Sequence, residues 1–252
     1  TPLYSSAASD VYKRQQYGER FAPHIGETEL MVKQALEREE SLLLEGAQGT
    51  LLDIDFGTYP YVTSSSPIAG GAFTGLGLSP TKIERILGVF KSYTTRVGGG
   101  PMPTELRDEI GELIRKIAHE YGATTGRPRR CGWFDVVAAR FSASINGFSG
   151  VALTRLDILD NFASIKVCTS YKVNGDIVDH FPSSSAVLER CQPIYEELAG
   201  WQSPISHLRR FKDLPPAAQS YVKRLEELIT CPIDIISVGP RREQTIMVRP
   251  VL

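Results

Sequence analysis

The chain has 252 residues, of which 42% are hydrophobic and 23% are charged, and its formal net charge is −1. This composition is ordinary for a soluble globular protein. The near-neutral net charge argues against a protein that binds nucleic acid through its overall charge. No apolar run approaches the ~20 residues that are needed to cross a bilayer. The four cysteines and four histidines are scattered without metal-ligand spacing, so we expect a cytoplasmic protein with free thiols, no metal site, and no membrane or nucleic-acid partner.

For the N-terminal segment the sequence predicts a tail, a helix and a strand, in that order. Residues 1–16 are small, polar and aperiodic, and we treat them as an unmatched tail or artefact outside the fold. Apolar periodicity predicts a helix over Glu29–Glu39, and the apolar run Ser41–Leu44 predicts a buried parallel strand. That strand enters a glycine-bracketed turn that presents the amide of Gln48. Turns that follow strands are where open α/β sheets bind ligands.

A long polar loop follows over Gly57–Gly77, and a loop of this length in a compact domain is usually functional or disordered. Its hydroxyl groups, including that of Thr63, suit contacts to phosphate or sugar. Ser79 and Pro80 then predict the start of a helix, and a strand is expected over Tyr93–Val97. The buried side of that helix would consist of Ile83, Ile86, Leu87 and Phe90.

Three arginines stand among glycines and threonines between two helical patterns. The first helix has an apolar face from Leu106 to Tyr121 with Gly122 as its predicted C-cap, and the second is expected over about 133–145. Arginine binds a phosphate or carboxylate through two parallel hydrogen bonds, so we expect a mobile loop that closes over anions, although a solvated basic turn has the same composition. The loop residues are Ala123, Thr124, Thr125, Gly126, Arg127, Pro128 and Arg129.

The second half alternates strands and helices, which implies an α/β architecture. Val151–Thr154 is typical of a buried strand, and Asn174 with Gly175 predicts a β-hairpin. A helix over Pro215–Ile229 precedes a last buried strand over Ile233–Ile236.

Polar turns follow three of the predicted strands, at Gln48, Asp157 and Gly239, and we expect them to form a composite ligand site at one sheet edge. A carboxylate at Asp157 can accept two hydrogen bonds from guanine, one from the ring N–H and one from the exocyclic amine, a donor pair that adenine lacks. Taken alone, so short a motif is better explained by a surface Asp with no ligand.

Five segments resemble the adenylosuccinate synthetase family and occur in its order. They are LLLEGAQGTLLDIDFGTYPYVTSSSPIAGG, VGGGPMPTEL, ATTGRPRRCGWFD, LTRLDILD and ISVGPRREQT. The resemblance implies a ligase that joins IMP to L-aspartate with GTP and Mg²⁺, through 6-phosphoryl-IMP, on the route from IMP to AMP. It also implies a P-loop-NTPase-like parallel or mixed sheet with helices on its faces, in residues 17–97, and a C-terminal α/β (α+β) subdomain with a β-hairpin, in residues 98–252.

Matched motif by motif, the resemblance assigns roles to residues of this chain. Gln48, Thr63 and Arg127 would bind IMP, residues 123–129 would close on aspartate, and Val97 would line a ribose. The residues implied to hold GTP are Arg129, Arg155, Leu156, Asp157, Ser237, Val238 and Gly239.

The sequence departs from the family mainly by absence. The family's glycine-rich GDEGKGK loop, its catalytic Asp and its catalytic His have no counterpart here, while Arg155 stands where the family usually has Lys. We therefore expect a C-terminal fragment without catalytic or metal-binding residues, inactive alone and homodimeric when full length. The alternatives are a noncatalytic guanine-nucleotide-binding module and, with few stacking aromatics in its favour, a basic-loop RNA binder.

Overall fold

A computed structural model describes residues 3–122 and 126–251, and for residues 3–8 it describes the backbone alone. The helices of these residues are α1 (Leu3–Phe21), α2 (Thr28–Glu37), α3 (Gly70–Leu76), α4 (Glu109–Ile117), α5 (Val136–Asn146), α6 (Ser185–Leu188) and α7 (Pro216–Ile229). The strands are β1 (Leu87–Lys91), β2 (Thr94–Arg96), β3 (Arg130–Gly132), β4 (Phe134–Asp135), β5 (Gly150–Thr154), β6 (Ser164–Val173), β7 (Asp176–Val178), β8 (Gln192–Ala199), β9 (Ile233–Ser237) and β10 (Thr245–Met247).

The main sheet has the strand order β1-β5-β9-β10, and its first three strands are parallel. Lys91 pairs with Thr154, and Leu153 pairs with Ile236. The carboxyl ends of β1, β5 and β9 therefore lie side by side at one edge. The strands β5 and β9 are mostly buried, as expected for parallel strands covered on both faces. Their apolar side chains share a core with α5 and α7.

The second sheet contains β4, β6 and β7, with β8 paired to the other side of β6. Asn174 and Gly175 both have positive φ, 52° and 97°, which is the backbone that a two-residue hairpin loop requires. The predicted mixed α/β fold with a β-hairpin is thus confirmed. The sequence did not predict β8, which is half-exposed and lacks a clear alternation of apolar residues.

Helix caps explain where α4 and α5 begin. The carboxylate of Asp108 accepts hydrogen bonds from the backbone N–H groups of Ile110 and Gly111, and that of Asp135 accepts one from Ala138. The predicted helices near 29–39, 133–145 and 215–229 are confirmed as α2, α5 and α7. The amphipathic helix after Leu106 is confirmed as α4, which ends at Ile117.

Several predicted elements are wrong. The segment Ser41–Leu44 forms no strand, and Leu43 is 92% exposed, because no strand within the described residues pairs with it. The helix expected after Ser79 is a single 3₁₀ turn, and Leu87–Lys91 instead forms β1, since pairing with β5 outweighs its helical spacing. Gly122 does not cap α4, because the chain runs on for four residues past Ile117 before reaching it.

The N-terminal residues also differ from expectation, since 3–16 belong to α1 rather than to an irregular tail. Every described side chain of α1, over residues 9–21, is exposed, so none of these side chains belongs to the core. The predicted boundary at residues 97 and 98 falls between β1 and β5, which pair in one sheet. The division into two domains stays a prediction.

The buried cap Asp135 should make stability depend on pH. Burial raises its pKa to about 6, although it accepts hydrogen bonds from the Tyr171 hydroxyl at 2.7 Å and from Ala138. The unfolded chain, with the ordinary pKa near 4, binds fewer protons than the folded chain between these values. The contribution of Asp135 to stability is therefore present below pH 4 and is lost as the pH rises to 6.

We expect Asp135→Asn to gain stability relative to the unmodified chain as the pH rises from 4 to 6, by on the order of 2 kcal/mol. The amide oxygen still caps α5, so the cap itself is kept. Urea unfolding at several pH values measures the difference, with Asp108→Asn as a matched change at the cap of α4. A difference between Asp135→Asn and the unmodified chain that stays constant with pH would contradict the expectation.

Candidate functional site

A buried carboxylate gathers cationic side chains at the edge where β1 and β5 end. Glu120 is 1% exposed, and its Oε1 accepts hydrogen bonds from Lys91 Nζ and from the Tyr93 hydroxyl, both at 2.6 Å. Its Oε2 accepts from Arg129 Nη1 at 2.7 Å, and Arg155 Nη1 lies 4.0 Å from Oε1. We call these five residues the Glu120 cluster. It holds three cations around one carboxylate.

The hydrogen bonds of the Glu120 cluster keep that carboxyl group ionised. Burial raises the pKa of Glu120, but the bonds from Lys91, Tyr93 and Arg129 outweigh burial, so the pKa lies below its ordinary value. Burial lowers the pKa of the Lys91 ammonium, and the Glu120 carboxylate partly offsets this. The positive charge left over within the cluster can attract an anion.

The turns after β5 and β9 are bonded to each other. The backbone N–H of Arg155 donates to Ser237 Oγ at 3.3 Å, and Ser237 Oγ donates to the Gly239 carbonyl at 3.2 Å. Arg155 has a positive φ of 60°, and its Nη1 donates to the Ala118 carbonyl at 2.6 Å. The predicted meeting of strand ends at one edge is confirmed for the turns after β5 and β9, whereas Gln48 follows no strand and its place in a shared site stays a prediction.

Asp157 is one of two residues at this edge with a buried polar atom that lacks a partner within the described residues, and the other is Arg129 through its Nε. In Asp157 the atom is Oδ1, which is buried and has no hydrogen-bond partner within the described residues. Burial raises the pKa of Asp157. A buried acceptor without a partner costs about 1–3 kcal/mol, so a ligand that donates a hydrogen bond there gains that amount.

Leu156 and Val238, two other predicted ligand residues, have fully buried side chains. They can offer a ligand only their backbone. A Cβ on Gly239 would lie 2.4 Å from the end of the Gln244 side chain, so a larger residue there would displace that side chain from the turn.

A second group of polar side chains lies on the loops after residue 46. Gln48 Nε2 donates to Thr63 Oγ1 at 3.3 Å, and Ser65 Oγ donates to Gln48 Oε1 at 3.3 Å. Gln48 has a positive φ of 69° in its turn. We call these three residues the Gln48 cluster. All its donors and acceptors are close to solvent, which leaves them accessible to a ligand.

Arg96 joins the polar loop to the glycine turn after β2. Its Nη2 donates to Thr58 Oγ1 at 2.8 Å and to the Tyr61 carbonyl at 3.0 Å, and its Nε donates to the Gly99 carbonyl at 2.8 Å. Arg96 also pairs with Arg130 across the β2–β3 ladder. The loop that carries Thr63 is thereby tied to the strand that directly follows Arg129.

The arginine segment is described only in part. Ala123, Thr124 and Thr125 lie outside the described residues. The carbonyl of Arg127 accepts a hydrogen bond from the Gly122 N–H at 2.8 Å, and Tyr121 forms an isolated bridge with Pro128. Arg127 and Pro128 are exposed, whereas Arg129 turns inward to Glu120.

Sequence reasoning missed four site residues, namely Lys91, Tyr93, Arg96 and Glu120. Tyr93 and Arg96 were placed on a predicted strand and Glu120 on a predicted helix, but the contacts of all four arise from strand pairing and from the turn after α4, which local patterns do not reveal. The local signal for Glu120 was an acidic residue three positions before the predicted loop.

Within residues 3–122 and 126–251, no three or more His, Cys, Asp or Glu side chains come together in a way that could hold a metal ion. Among the same residues, no helix has the length and apolar character needed to span a membrane.

Comparison with known proteins identifies the relatives of this chain. A family model for adenylosuccinate synthetase matches residues 3–246. The chain is 55% identical over 232 residues to adenylosuccinate synthetase from Geobacter sulfurreducens, covering 92% of this chain and 54% of that protein. It is 53% identical over 250 residues to the synthetase from Dehalococcoides mccartyi, covering 98% of this chain and 59% of that protein. The chain thus spans somewhat more than half the length of these curated relatives.

Solved structures agree with the fold. The fully ligated adenylosuccinate synthetase from Plasmodium falciparum has a TM-score of 0.91 at 39% identity, covering 93% of this chain and 56% of that one. A cyanophage S-2L succinoaminodeoxyadenylate synthetase, bound to dGMP and dATP, has a TM-score of 0.54 at 17% identity over 88% of this chain and 50% of that one, a likeness of fold alone.

The bonds of Arg96 should hold the polar loop in place. We expect Arg96→Met to speed hydrogen exchange at the backbone N–H groups of Tyr61 and Thr63 at least tenfold, because both amides donate hydrogen bonds within the loop that Arg96 secures. Exchange measured by mass spectrometry tests this, with Arg107→Met, whose side chain is 83% exposed, as the control. Equal exchange rates at these amides in Arg96→Met and in the unmodified chain would show that the loop keeps its structure without the guanidinium group.

Proposed function

The chain belongs to the adenylosuccinate synthetase family, and from that premise we propose that it supplies the guanine and aspartate sites, and part of the IMP site, of a GTP-dependent ligase. The ligase joins IMP and L-aspartate to give adenylosuccinate, GDP and phosphate. In the proposed reaction the γ-phosphate of GTP passes to the 6-oxygen of IMP, and the amino group of aspartate then displaces that phosphate.

The unpaired Oδ1 of Asp157 is the observation that carries the guanine assignment. Guanine presents a ring N–H and an exocyclic amine side by side, and one carboxylate can accept from both. Because this oxygen is already withdrawn from water, a hydrogen bond formed there does not pay again for dehydration. Arg155 and the backbone of residues 237–239 flank Asp157 and would complete the base site.

The cationic surplus of the Glu120 cluster supports an anion site nearby. Arg129 and Arg155 present guanidinium groups, which suit phosphate oxygens, and Arg127 would reach the carboxylates of aspartate and the IMP phosphate. Fixed positive groups of this kind stabilise the charge that develops when a phosphoryl group is transferred. Residues 123–129 would close over aspartate.

The Gln48 cluster is the proposed contact to IMP. Gln48 and Thr63 offer an amide and a hydroxyl on neighbouring loops, and the bond from Arg96 to Tyr61 holds one of those loops against the glycine turn after Val97. Hydrogen bonds between Gln48 and Thr63 would be exchanged for bonds to the ligand, which costs little because both groups are near water.

Mg²⁺ accompanies GTP in the proposed reaction and would neutralise phosphate charge. The described residues offer no cluster of ligands for it, so no step is assigned to the metal in this chain. The absence of catalytic residues from the chain, a cytoplasmic location and assembly as a homodimer stay predictions.

The guanine assignment is tested by Asp157→Asn, which keeps the shape but turns a donor toward the guanine amine. We expect GDP to bind at least tenfold more weakly, or ~1.4 kcal/mol, whereas IDP, which lacks the exocyclic amine, should lose less. Calorimetry on the purified chain measures both. Asp176→Asn, at the exposed hairpin, is the control. Unchanged GDP affinity in Asp157→Asn would remove Asp157 from the site.

A further inference from the structure

The last residue of α5 is a buried asparagine whose side chain bonds to residues outside the helix. Asn146 is 8% exposed, and its Oδ1 accepts a hydrogen bond from the backbone N–H of Ala69 at 2.7 Å. Its Nδ2 donates to Thr50 Oγ1 at 2.9 Å and to the Ser142 carbonyl, one turn earlier on α5, at 2.8 Å. The amide therefore uses its oxygen and both of its N–H donors, and two of these three bonds reach distant loop residues.

The two loop residues that Asn146 holds belong to the segments that carry the Gln48 cluster. Thr50 is two residues after Gln48, and Ala69 lies in the polar loop that also contains Thr63. The two segments are bonded to each other as well, because the backbone N–H of Thr63 donates to the Leu52 carbonyl at 2.8 Å. One buried amide thus fastens both segments to α5.

The Gln48 cluster needs such an anchor because its own bonds are weak. The two hydrogen bonds of Gln48 within the cluster are 3.3 Å long and exposed, whereas those of Asn146 are 2.7–2.9 Å long and at least partly buried. The helix α5 has a fixed position, since Val136 and Ala139 pack in the main core. Asn146 therefore passes the fixed position of α5 on to the loops.

We propose that Asn146 is a positioning residue for the IMP contact, acting through Thr50 and Ala69 rather than by touching the nucleotide. The inference rests on the proposed function, because it takes the ligand from there. Side chains that are already in place lose less freedom when a ligand binds, so the anchor should strengthen IMP binding. The guanine site should not depend on Asn146, because Asn146 precedes the amino end of β5 and Asp157 follows its carboxyl end.

The test measures the binding of IMP and of GDP to the chain by calorimetry, in the unmodified chain and in Asn146→Ala. We expect IMP to bind at least fivefold more weakly to the variant, while the affinity for GDP changes less than twofold. A residue that only supported the fold would weaken the binding of both ligands together. Unchanged IMP affinity, or an equal loss for IMP and GDP, overturns the inference.

Ser142→Ala is the matched control on the same helix. Ser142 is also buried, but its hydroxyl donates at 2.9 Å to the carbonyl of Ala138, which belongs to α5 itself. Its loss should leave both affinities unchanged. A loss of IMP affinity equal to that in Asn146→Ala would show that any buried polar change on α5 has this effect, and the positioning role would be refuted.

A milder variant covers the case in which Asn146→Ala does not fold, since that change leaves the buried N–H of Ala69 without its partner. Thr50→Val keeps the shape of the side chain and removes a single bond to Asn146. We expect IMP to bind at least twofold more weakly and GDP to bind as before. IMP affinity equal to that of the unmodified chain would contradict the role of Asn146.

The outcomes separate the two proposals. An unmodified chain that does not bind IMP contradicts the proposed IMP contact, and the inference fails with it. An unmodified chain that binds IMP as tightly as its Asn146→Ala and Thr50→Val variants leaves the IMP contact standing and overturns the positioning role of Asn146.

Discussion

Parallel pairing of β1, β5 and β9 is the constraint from which the guanine-side site follows. Because the three strands run in the same direction with Lys91 opposite Thr154, their carboxyl ends reach one edge together. The residues that follow each strand are therefore neighbours, and the backbone N–H of Arg155 donates a hydrogen bond to Ser237 Oγ there. Apolar side chains from α5 and α7 pack with those of this sheet in one core.

This edge carries a charge arrangement that is costly to bury. A carboxylate taken out of water loses several kcal/mol of solvation, which only close partners with good geometry can offset. Glu120 has such partners in Lys91, Tyr93 and Arg129. Asp157 has none for Oδ1 within the described residues, and that unpaired buried oxygen is a physical sign of a ligand at this edge.

How much could be predicted from the sequence depended on whether the signal was local. Asn174 with Gly175, the capped helix α5 and the buried run at Val151 depend on neighbouring residues, and these predictions are confirmed. The strand predicted over Ser41–Leu44 and the helix predicted after Ser79 were wrong because strand formation depends on a distant partner. The polar turns at Asp157 and Gly239 follow strands as predicted, whereas the turn at Gln48 does not. The contacts of Glu120 and Arg96 required the tertiary fold.

The most direct measurement is a crystal structure of the chain with GDP bound. Because the ends of β5 and β9 lie together, we expect guanine to bind beside Ser237 and Arg155. Its ring N–H and its exocyclic amine should both donate hydrogen bonds to the Asp157 carboxylate, with nitrogen-to-oxygen distances of about 2.7–3.2 Å. A guanine bound at another surface, with the Oδ1 of Asp157 still unpaired, would contradict the nucleotide site on which the proposed ligase function depends.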